Sequence, residues 1–147
     1  MQYIVALFQM RSMKKIEVYL DANLKPYNTF HIGGNAKYIF VVYDTDTLQK
    51  VCLECKHQKI MYKVIGRGSN LLFDDSGYDG AIIVNRASEI RRQKNILSIS
   101  SGTDIATLIN YSMKHSLSGV ETFSGIPATI GGAITNNMGA FGVEIGE

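Results

Sequence analysis

Two glycine-rich stretches of the chain are the strongest candidates for binding a ligand. The first, residues 64–72, reads Val-Ile-Gly-Arg-Gly-Ser-Asn-Leu-Leu. Gly66 and Gly68 remove Cβ atoms where a backbone must turn tightly or approach a ligand. Ser69 and Asn70 add side chains that can hydrogen-bond within the same turn. Successive backbone N–H groups in such a loop can bind an anion, so the residues predict a phosphate-binding loop, with an ordinary glycine bend as the alternative.

The second stretch, residues 122–142, contains five glycines and no charged residue. An amphipathic helix would need a polar face and fewer glycines, and a disordered linker would contain fewer apolar residues. We therefore expect neither of these. The composition instead favours backbone that packs closely against a large, flat and partly apolar ligand.

The composition is that of a globular chain without a strongly charged surface. Of the 147 residues, 46% are hydrophobic and 19% are charged, and the formal net charge is +2. Because nucleic acids and anionic membranes call for a clustered basic patch, we expect neither partner. The densest basic group, Arg86 with Arg91, Arg92 and Lys94, is interpreted as a solvated turn. No apolar run approaches the roughly 18 residues of a membrane helix and the N-terminus lacks the basic start of a signal peptide, so we expect a cytoplasmic location.

Cys52 and Cys55 form a C-x-x-C pair, a spacing that is found in zinc sites and in redox pairs. Here the pair falls within a helical pattern, on the same face as Leu48 and Val51, and the sequence has no second pair of ligands. We therefore predict that both cysteines are core residues and that the chain has no metal site.

Local patterns predict a strand–helix–strand unit in front of the first glycine loop. Residues 37–43 are aromatic and β-branched, which is typical of a strand, and residues 59–65 predict a second strand. Between them, cap-type side chains begin at Asp44, and an apolar period predicts a helix over about residues 45–57. This order favours a crossover with a parallel strand pair, which puts the glycine loop at the carboxyl end of a strand.

The rest of the chain is expected to contain short elements on either side of a domain boundary. In chain order they are a strand or irregular lead-in (15–20), a loop (21–28), a buried strand (81–85), a hairpin (89–100) and a helix (105–115). The apolar side of that last helix is predicted to consist of Ile105, Leu108, Ile109, Ser112 and Met113. The change of pattern near residue 86 predicts an N-terminal tail at 1–14, a first lobe at 15–85 and a second, incomplete lobe at 86–147.

Four motifs, in their order and spacing, resemble those of a known family. They are Asn28-Thr29-Phe30 with Gly33-Gly34, Gly66-x-Gly68-Ser69-Asn70-Leu71-Leu72, Gly125-Ile126-Pro127 with Gly131-Gly132-Ala133, and Asn137-x-Gly139-Ala140-Phe141-Gly142. Each motif alone is weak, but the four together are specific. Over residues 28–147 the chain resembles the UDP-N-acetylenolpyruvoylglucosamine reductase (UDP-N-acetylmuramate dehydrogenase, MurB) family of bacterial peptidoglycan synthesis.

The resemblance implies an α+β fold, namely the two-lobed FAD-binding domain of the vanillyl-alcohol-oxidase type (PCMH-like), with a truncated second lobe. It implies that the loop from Gly66 to Leu71 holds the FAD diphosphate, and that the stretch from Gly125 to Phe141 lines the diphosphate and the isoalloxazine ring. The implied cofactor-binding residues are Ile65, Gly66, Arg67, Gly68, Ser69, Asn70, Leu71, Ser124, Gly125, Ile126, Pro127, Thr129, Gly131, Gly132, Ala133, Asn137, Gly139, Ala140 and Phe141. Because the loop contains no histidine, we expect non-covalent FAD. His31 is interpreted as a polar loop residue.

The activity that the resemblance implies for a full-length protein is NADPH-dependent reduction of UDP-N-acetylenolpyruvoylglucosamine to UDP-N-acetylmuramate through FAD. The family's Tyr-Arg-x-Ser segment, acid serine and C-terminal carboxylate have no counterpart in residues 1–147, so we assign no catalytic residue and expect no substrate domain. The chain by itself is therefore predicted to be inactive. Two alternatives stay open: a truncated or split-gene flavin-binding module that binds a partner chain, and another flavin oxidoreductase of the same fold.

Overall fold

The structure, a computed structural model, describes residues 15–146. The predicted N-terminal tail, residues 1–14, lies outside the described residues, as does Glu147. The described residues divide into two compact units, with the boundary between Ala87 and Ser88. Both units contain helices and strands, so the content is α+β.

A four-stranded sheet forms the centre of the first unit. Its strands are β1 (Ile16–Asn23), β2 (Asn35–Val42), β3 (Tyr62–Ile65) and β4 (Tyr78–Asn85). The spatial order is β1-β2-β4-β3, with β1 antiparallel to β2 and with β4 parallel to both of its neighbours. β1 extends into a segment that was expected to be a loop, because residues 22–23 continue to pair with the start of β2. β3 is shorter than predicted and begins only at Tyr62.

The predicted pairing of the two strands that flank the first helix is wrong, because β4 lies between β2 and β3. The side chains from Ala81 to Val84 in β4 are fully buried, whereas Tyr62, Lys63 and Val64 in β3 are exposed. A strand that is buried on both faces belongs in the middle of a parallel sheet, and a strand with exposed side chains belongs at its edge. β3 nevertheless keeps the same direction as β2, so its carboxyl end still leads into the glycine loop.

The helix between β2 and β3, α1, spans Thr45–His57, which are the predicted bounds. Asp44 caps this helix: its Oδ1 accepts a hydrogen bond from the backbone N–H of Thr47 at 2.7 Å, and its Oδ2 accepts one from the Thr47 hydroxyl at 3.1 Å. The bond from the Thr47 backbone is the main reason why the pKa of the Asp44 carboxyl is lowered. The local sequence therefore determines where α1 begins.

One face of the sheet is covered by α1. The buried cluster on this face consists of Phe40, Val42, Val51, Cys55, Ala81 and Ile83, with Leu48 and Cys52 packed against it. Both cysteines therefore contribute to the core, as predicted. Burial raises the pKa of both thiols, that of Cys55 to about 11.

The opposite face of the sheet is covered by two irregular segments, residues 24–34 and 71–78. The cluster on this face contains the buried residues Leu24, Ala36, Ile39, Val41, Ile65, Ile82 and Val84, with Ala22, Tyr27, Leu71, Phe73 and Tyr78 packed against it. The connection from β3 to β4 therefore begins with the glycine loop and then returns over the sheet as part of its apolar cover. We call this face, opposite α1, the loop face.

Gly68 is the position where the glycine loop and the 24–34 segment meet. Its φ is +66°, and an added Cβ would overlap the carbonyl oxygen of Tyr27 and lie 2.8 Å from the Cα of Asn28. Asn28 is itself buried, and its side-chain amide donates to the carbonyl oxygens of Leu24 and Ile32, at 2.9 Å in each case. Asn28 thus holds the 24–34 segment in the shape against which Gly68 packs.

The second unit contains short strands and helices around its own apolar cluster. Its elements are β5 (Ile90–Gln93), β6 (Ile96–Ile99), α2 (Ile105–Lys114), a 3₁₀ turn (Glu121–Phe123), α3 (Ile130–Thr135), β7 (Gly139–Ala140) and β8 (Val143–Glu144). β5 and β6 form the predicted hairpin, and β7 and β8 form a second antiparallel pair. The fully buried residues of the cluster are Ile105, Leu108, Phe123, Ile130 and Ala133.

Two predictions for the second unit are wrong. Met113 was expected to face the core, but it is 70% exposed; the short α2 buries the side that contains Ile105 and Leu108. The glycine-rich stretch was expected to contain no helix, yet it forms α3, because Thr129 accepts a hydrogen bond from the Gly132 N–H and the helix packs within the unit. Among residues 15–146, no helix is both long and apolar enough to cross a membrane.

Replacing Asp44 with alanine removes the cap of α1, and we expect the free energy of unfolding to fall by about 1 kcal/mol at neutral pH. Denaturant unfolding followed by circular dichroism measures this, with Asp46→Ala as a control that removes a carboxylate from the same helical turn. Folding lowers the pKa of the Asp44 carboxyl from its ordinary value of 3.8. The contribution of the Asp44 carboxylate to the free energy of unfolding is therefore complete above pH 3.8 and is lost as the pH falls through the lowered pKa. The difference from the wild type should therefore shrink in acid. Equal stability at neutral pH would contradict the assignment of Asp44 as the cap.

Replacing Gly68 with alanine should lower the free energy of unfolding of the first unit by about 2–5 kcal/mol, because strain at positive φ adds to a steric overlap with backbone. Gly119→Ala is the matched control, since Gly119 has a φ of +108° but no atom within 4 Å of an added Cβ. Amide hydrogen exchange reports on each unit separately and so allows the two losses to be compared. If Gly68→Ala cost no more than Gly119→Ala, the contact with Tyr27 and Asn28 would not be what requires glycine.

Candidate functional site

The glycine loop has backbone donors that the first unit does not use. Within residues 15–146, the N–H groups of Gly66, Gly68 and Ser69 donate to no backbone carbonyl or side chain. Such donors need either water or an anionic ligand. The loop follows the carboxyl end of β3, where open α/β sheets bind ligands. It can therefore act as an anion-binding loop.

The side chains of the loop are compatible with a negatively charged ligand. Residues 65–71 contain no acidic side chain, and Arg67 and Asn70 are exposed. Ser69 is half-buried and places a hydroxyl in the turn, while Leu71 packs on the loop face of the sheet. A diphosphate fits this set, since it offers several acceptor oxygens to N–H donors. The loop keeps this shape only with glycine at position 68, because a Cβ there would overlap neighbouring backbone.

His31 lies in the segment that packs against the loop. It has a φ of +54°, its backbone N–H donates to the carbonyl of Asn28 at 3.3 Å, and its Nδ1 lies 3.2 Å from the carbonyl oxygen of Lys25. The exposed imidazole is thus tied to its own segment, in agreement with its interpretation as a polar loop residue. The sequence motif pointed to this segment, but it did not reveal that Asn28 organises it.

A polar cluster on the loop face was missed by the sequence analysis. The Glu17 carboxylate accepts hydrogen bonds from Tyr19 to Oε2 and from Tyr43 to Oε1, both at 2.5 Å. The bond from Tyr19, then that from Tyr43, lowers the pKa of Glu17, with a smaller contribution from the charge of Arg86. The same carboxylate raises the pKa of Tyr19 to about 12. Tyr19 is next but one to Glu17 on β1, whereas Tyr43 and Arg86 are distant in sequence, so the pairing of β1, β2 and β4 brings these two to the cluster.

The basic group of Arg86, Arg91, Arg92 and Lys94 is exposed, as its interpretation as a solvated turn implies, but it does not form one turn. Arg86 directly follows β4 in the first unit, and its backbone N–H donates to the carbonyl of Val42 at 2.8 Å. Arg91 and Arg92 belong instead to the β5 strand of the second unit, where Arg91 forms an ion pair with Glu89 at 2.7 Å.

In the second unit, the backbone donors at the start of α3 are already used. The N–H of Ile130 donates to the carbonyl of Thr103 at 2.8 Å, and that of Gly131 donates to the carbonyl of Ser101 at 2.7 Å. A Cβ on Gly131 would lie 2.9 Å from the Cβ of Ser101. Glycine at this position therefore serves packing within the unit, and the start of α3 offers fewer free donors than the loop of the first unit.

The predicted site residues of the second unit differ in how accessible they are. Thr129 and Ala133 are buried, whereas Ser124, Gly125 and Pro127 are exposed. The exposed segment precedes α3 and turns at Gly125, which has a φ of +85° and no atom within 4 Å of an added Cβ. Its surface is thus open to a ligand, while Thr129 and Ala133 hold the helix in place.

The hairpin of β7 and β8 presents an aromatic ring at its tip. Phe141 has a φ of +52° and is 93% exposed, and the following Gly142 also has a positive φ of +81°. At the base of the hairpin, the Asn137 amide donates to a Glu144 carboxylate oxygen at 2.5 Å. A bulky residue in the left-handed region is uncommon. The hairpin therefore holds an unpacked aromatic side chain that can stack on a flat ligand.

A separate cavity of about 370 Å³ lies at the other end of the parallel strands. Its lining includes Lys37 and Asp79, whose side chains form an ion pair at 3.1 Å, and Met61, which precedes β3. None of the predicted site residues lines it. Because ligands of open α/β sheets bind at the carboxyl ends of the strands, we place the candidate site at the glycine loop.

Comparisons with known proteins agree with these features. The pattern of the FAD binding domain family matches residues 36–146. UDP-N-acetylenolpyruvoylglucosamine reductase of Protochlamydia amoebophila is 38% identical over 125 residues, which are 84% of this chain and 42% of that protein. The enzyme of the same name from Clostridium novyi is 32% identical over an alignment of 142 residues that covers 91% of this chain and 46% of that protein. The chain thus spans less than half the length of these relatives.

Solved structures support the same relationship. The crystal structure of UDP-N-acetylenolpyruvylglucosamine reductase (MurB) from Thermus caldophilus matches with a TM-score of 0.67 and 31% identity, over 88% of this chain and 45% of that one. Aclacinomycin oxidoreductase matches with a TM-score of 0.52 and 13% identity, over 68% of this chain and 22% of that one, which shows a shared fold. The expected FAD-binding fold of the vanillyl-alcohol-oxidase type and the family resemblance are both confirmed. The chain belongs to the FAD binding domain family, and its similarity is to that part of the UDP-N-acetylenolpyruvoylglucosamine reductases.

Proposed function

We propose that this chain is the FAD-binding part of an NADPH-dependent reductase that converts UDP-N-acetylenolpyruvoylglucosamine to UDP-N-acetylmuramate in peptidoglycan synthesis. The observation that supports this proposal best is the glycine loop after β3. Its backbone N–H groups at Gly66, Gly68 and Ser69 have no acceptor among the described residues, and a side chain at position 68 would overlap neighbouring backbone. The similarity to reductases of this name supports the choice of substrate.

The role proposed for the first unit is to hold the FAD diphosphate. The N–H groups of Gly66, Gly68 and Ser69 would donate to phosphate oxygens, and the Ser69 hydroxyl would add a further donor. Arg67 and Asn70 are exposed at the same turn and would contact the ligand from its solvent side. Ile65 and Leu71 would support the loop from the apolar face on which both pack.

The role proposed for the second unit is to contact FAD through an exposed segment and a hairpin. The proposed contacts before and within α3 are Ser124, Gly125, Ile126, Pro127, Thr129, Gly131, Gly132 and Ala133, and those near the hairpin are Asn137, Gly139, Ala140 and Phe141. Since Thr129, Gly131 and Ala133 pack inside the unit, they would act by positioning the backbone. The exposed ring of Phe141 would stack on a flat heterocycle.

When bound, FAD would supply the redox chemistry, namely the transfer of hydride from NADPH to the enolpyruvyl double bond. The contribution of this chain would be to bind the diphosphate, to orient the ring and to exclude water from the surfaces it covers. We assign it no proton donor, because the family's acid serine and carboxylate have no counterpart in its sequence.

The 147-residue chain should bind FAD tightly enough to be purified with a yellow chromophore, and it should hold it without a covalent bond. The absorbance spectrum of the purified chain and its intact mass after denaturation check both points. The expected mass is that of the unmodified polypeptide, with the flavin released on denaturation. A chain that neither retains FAD nor binds it on titration would overturn the proposal, and a mass increased by one flavin would contradict the non-covalent mode.

The isolated chain should not oxidise NADPH in response to the enolpyruvyl substrate, even when loaded with FAD. The absorbance of NADPH at increasing substrate concentration measures this, with a full-length reductase of the same name as the positive control. Robust turnover by the isolated chain would show that its own residues suffice for catalysis and would refute the expectation.

A second candidate function is that of another flavin oxidoreductase with the same fold. The likeness to aclacinomycin oxidoreductase at 13% identity favours it, because it shows that the fold occurs in a protein named for a different substrate. NADPH oxidation that depends on a different acceptor, measured with the longest available form of the protein, would support this candidate over the first.

A further inference from the structure

We propose that Arg86 is a phosphate-binding residue of the glycine-loop site, and that Tyr19 and Tyr43 keep its guanidinium available by occupying the carboxylate of Glu17. The inference rests on the proposed FAD-binding function and deepens it, because it assigns the positive charge that binds the diphosphate. The backbone N–H donors of the loop are neutral, whereas a guanidinium offers charge and paired donors that match phosphate oxygens.

The register of the sheet places Arg86 beside the start of the loop. Ile65, the last residue of β3, pairs with Val84 of β4. The loop therefore leaves β3 at about the level at which Asn85 and Arg86 leave β4, on strands that lie about 5 Å apart. The hydrogen bond from the Arg86 N–H to the carbonyl of Val42 holds this residue against β2 on its other side.

The alternation of the strand places the Arg86 side chain on the loop face. Ile82 and Val84 belong to the cluster on that face, and Arg86, the first residue after β4, continues their alternation with its backbone still bonded to Val42. The electrostatic surroundings agree: the pKa of Tyr27 is raised mainly by burial and then by Glu17, and it is lowered by Arg86. The charge of Arg86 acts on the phenol of Tyr27, and the backbone carbonyl of the same residue packs against Gly68.

Glu17 is the acid that would otherwise bind Arg86. Both of its carboxylate oxygens accept a tyrosine hydroxyl at 2.5 Å, from Tyr19 and from Tyr43. In the part of the chain that the structure describes, the Arg86 guanidinium makes no ion pair and no hydrogen bond. Since short bonds to a charged acceptor are strong, the two tyrosines stabilise the Glu17 carboxylate in a geometry that includes no guanidinium. Arg86 is thereby left for an external anion.

The first test removes the charge from Arg86. Arg86→Gln should raise the dissociation constant for FAD about tenfold or more and should reduce the dependence of that constant on salt concentration. Arg91→Gln is the matched control, because it removes the same charge from an exposed strand of the second unit, and it should leave both quantities as in the wild type. Both are measured by titrating the full chain with FAD at several salt concentrations.

The second test concerns the competition for Glu17. Tyr43→Phe frees one carboxylate oxygen, which can then bind Arg86, so the affinity for FAD should fall several-fold. The double variant Glu17→Gln with Tyr43→Phe removes the competing carboxylate and should restore the wild-type affinity. A merely structural role of Tyr43 would not be rescued by a second substitution, and Tyr43 is 43% exposed, so its loss should not unfold the chain.

The outcomes separate this inference from the function on which it rests. If the wild-type chain does not bind FAD, the proposed function and the inference both fail. If the wild type binds FAD and Arg86→Gln binds it with equal affinity and equal salt dependence, the inference is wrong and the proposed function stands. If Tyr43→Phe weakens binding and the double variant does not restore it, the role of the tyrosines is refuted while that of Arg86 is retained.

Discussion

The approach of Gly68 to the carbonyl oxygen of Tyr27 is the contact on which the candidate site depends. It brings the backbone of the glycine loop against the 24–34 segment at a distance that excludes any Cβ. The buried Asn28 amide makes this possible, because it ties the segment to itself at Leu24 and Ile32. In the part of the chain that the structure describes, the N–H groups of Gly66, Gly68 and Ser69 in this loop have no protein acceptor.

Glycine has a different use in each unit. In the first unit it allows a backbone-to-backbone contact that leaves nearby donors free for a ligand. In the second unit Gly131 allows α3 to approach Ser101, and there the N–H donates within the protein at 2.7 Å. A motif of glycines therefore does not by itself distinguish a ligand contact from internal packing. The hydrogen-bond partners of each N–H make that distinction.

The loop face of the sheet contains both an apolar cover and a cluster of polar and charged side chains. Tyr27, Leu71 and Phe73 cover the strands, and this cover positions the glycine loop at the end of the sheet. Next to it, Glu17 binds two tyrosine hydroxyls, and Arg86 acts on the same carboxylate only through space. A cation that is held near an acid without being neutralised by it is a feature of anion sites, since its charge stays available to a ligand.

Elements that depend only on neighbouring residues could be predicted from the amino-acid sequence. The bounds of α1 follow from the Asp44 cap and an apolar spacing within thirteen residues, and the β5–β6 hairpin follows from two short segments joined by polar residues. The order of four motifs also revealed the family without any structure. Features that involve residues distant in the chain could not be predicted in this way. They are the insertion of β4 between β2 and β3, the exposure of Met113, the formation of α3 against Ser101, and the proximity of Glu17 to Tyr43 and Arg86. The physical reason is that local propensity reports on a residue's neighbours in sequence, whereas burial, strand order and charge proximity depend on which surfaces the whole unit brings into contact.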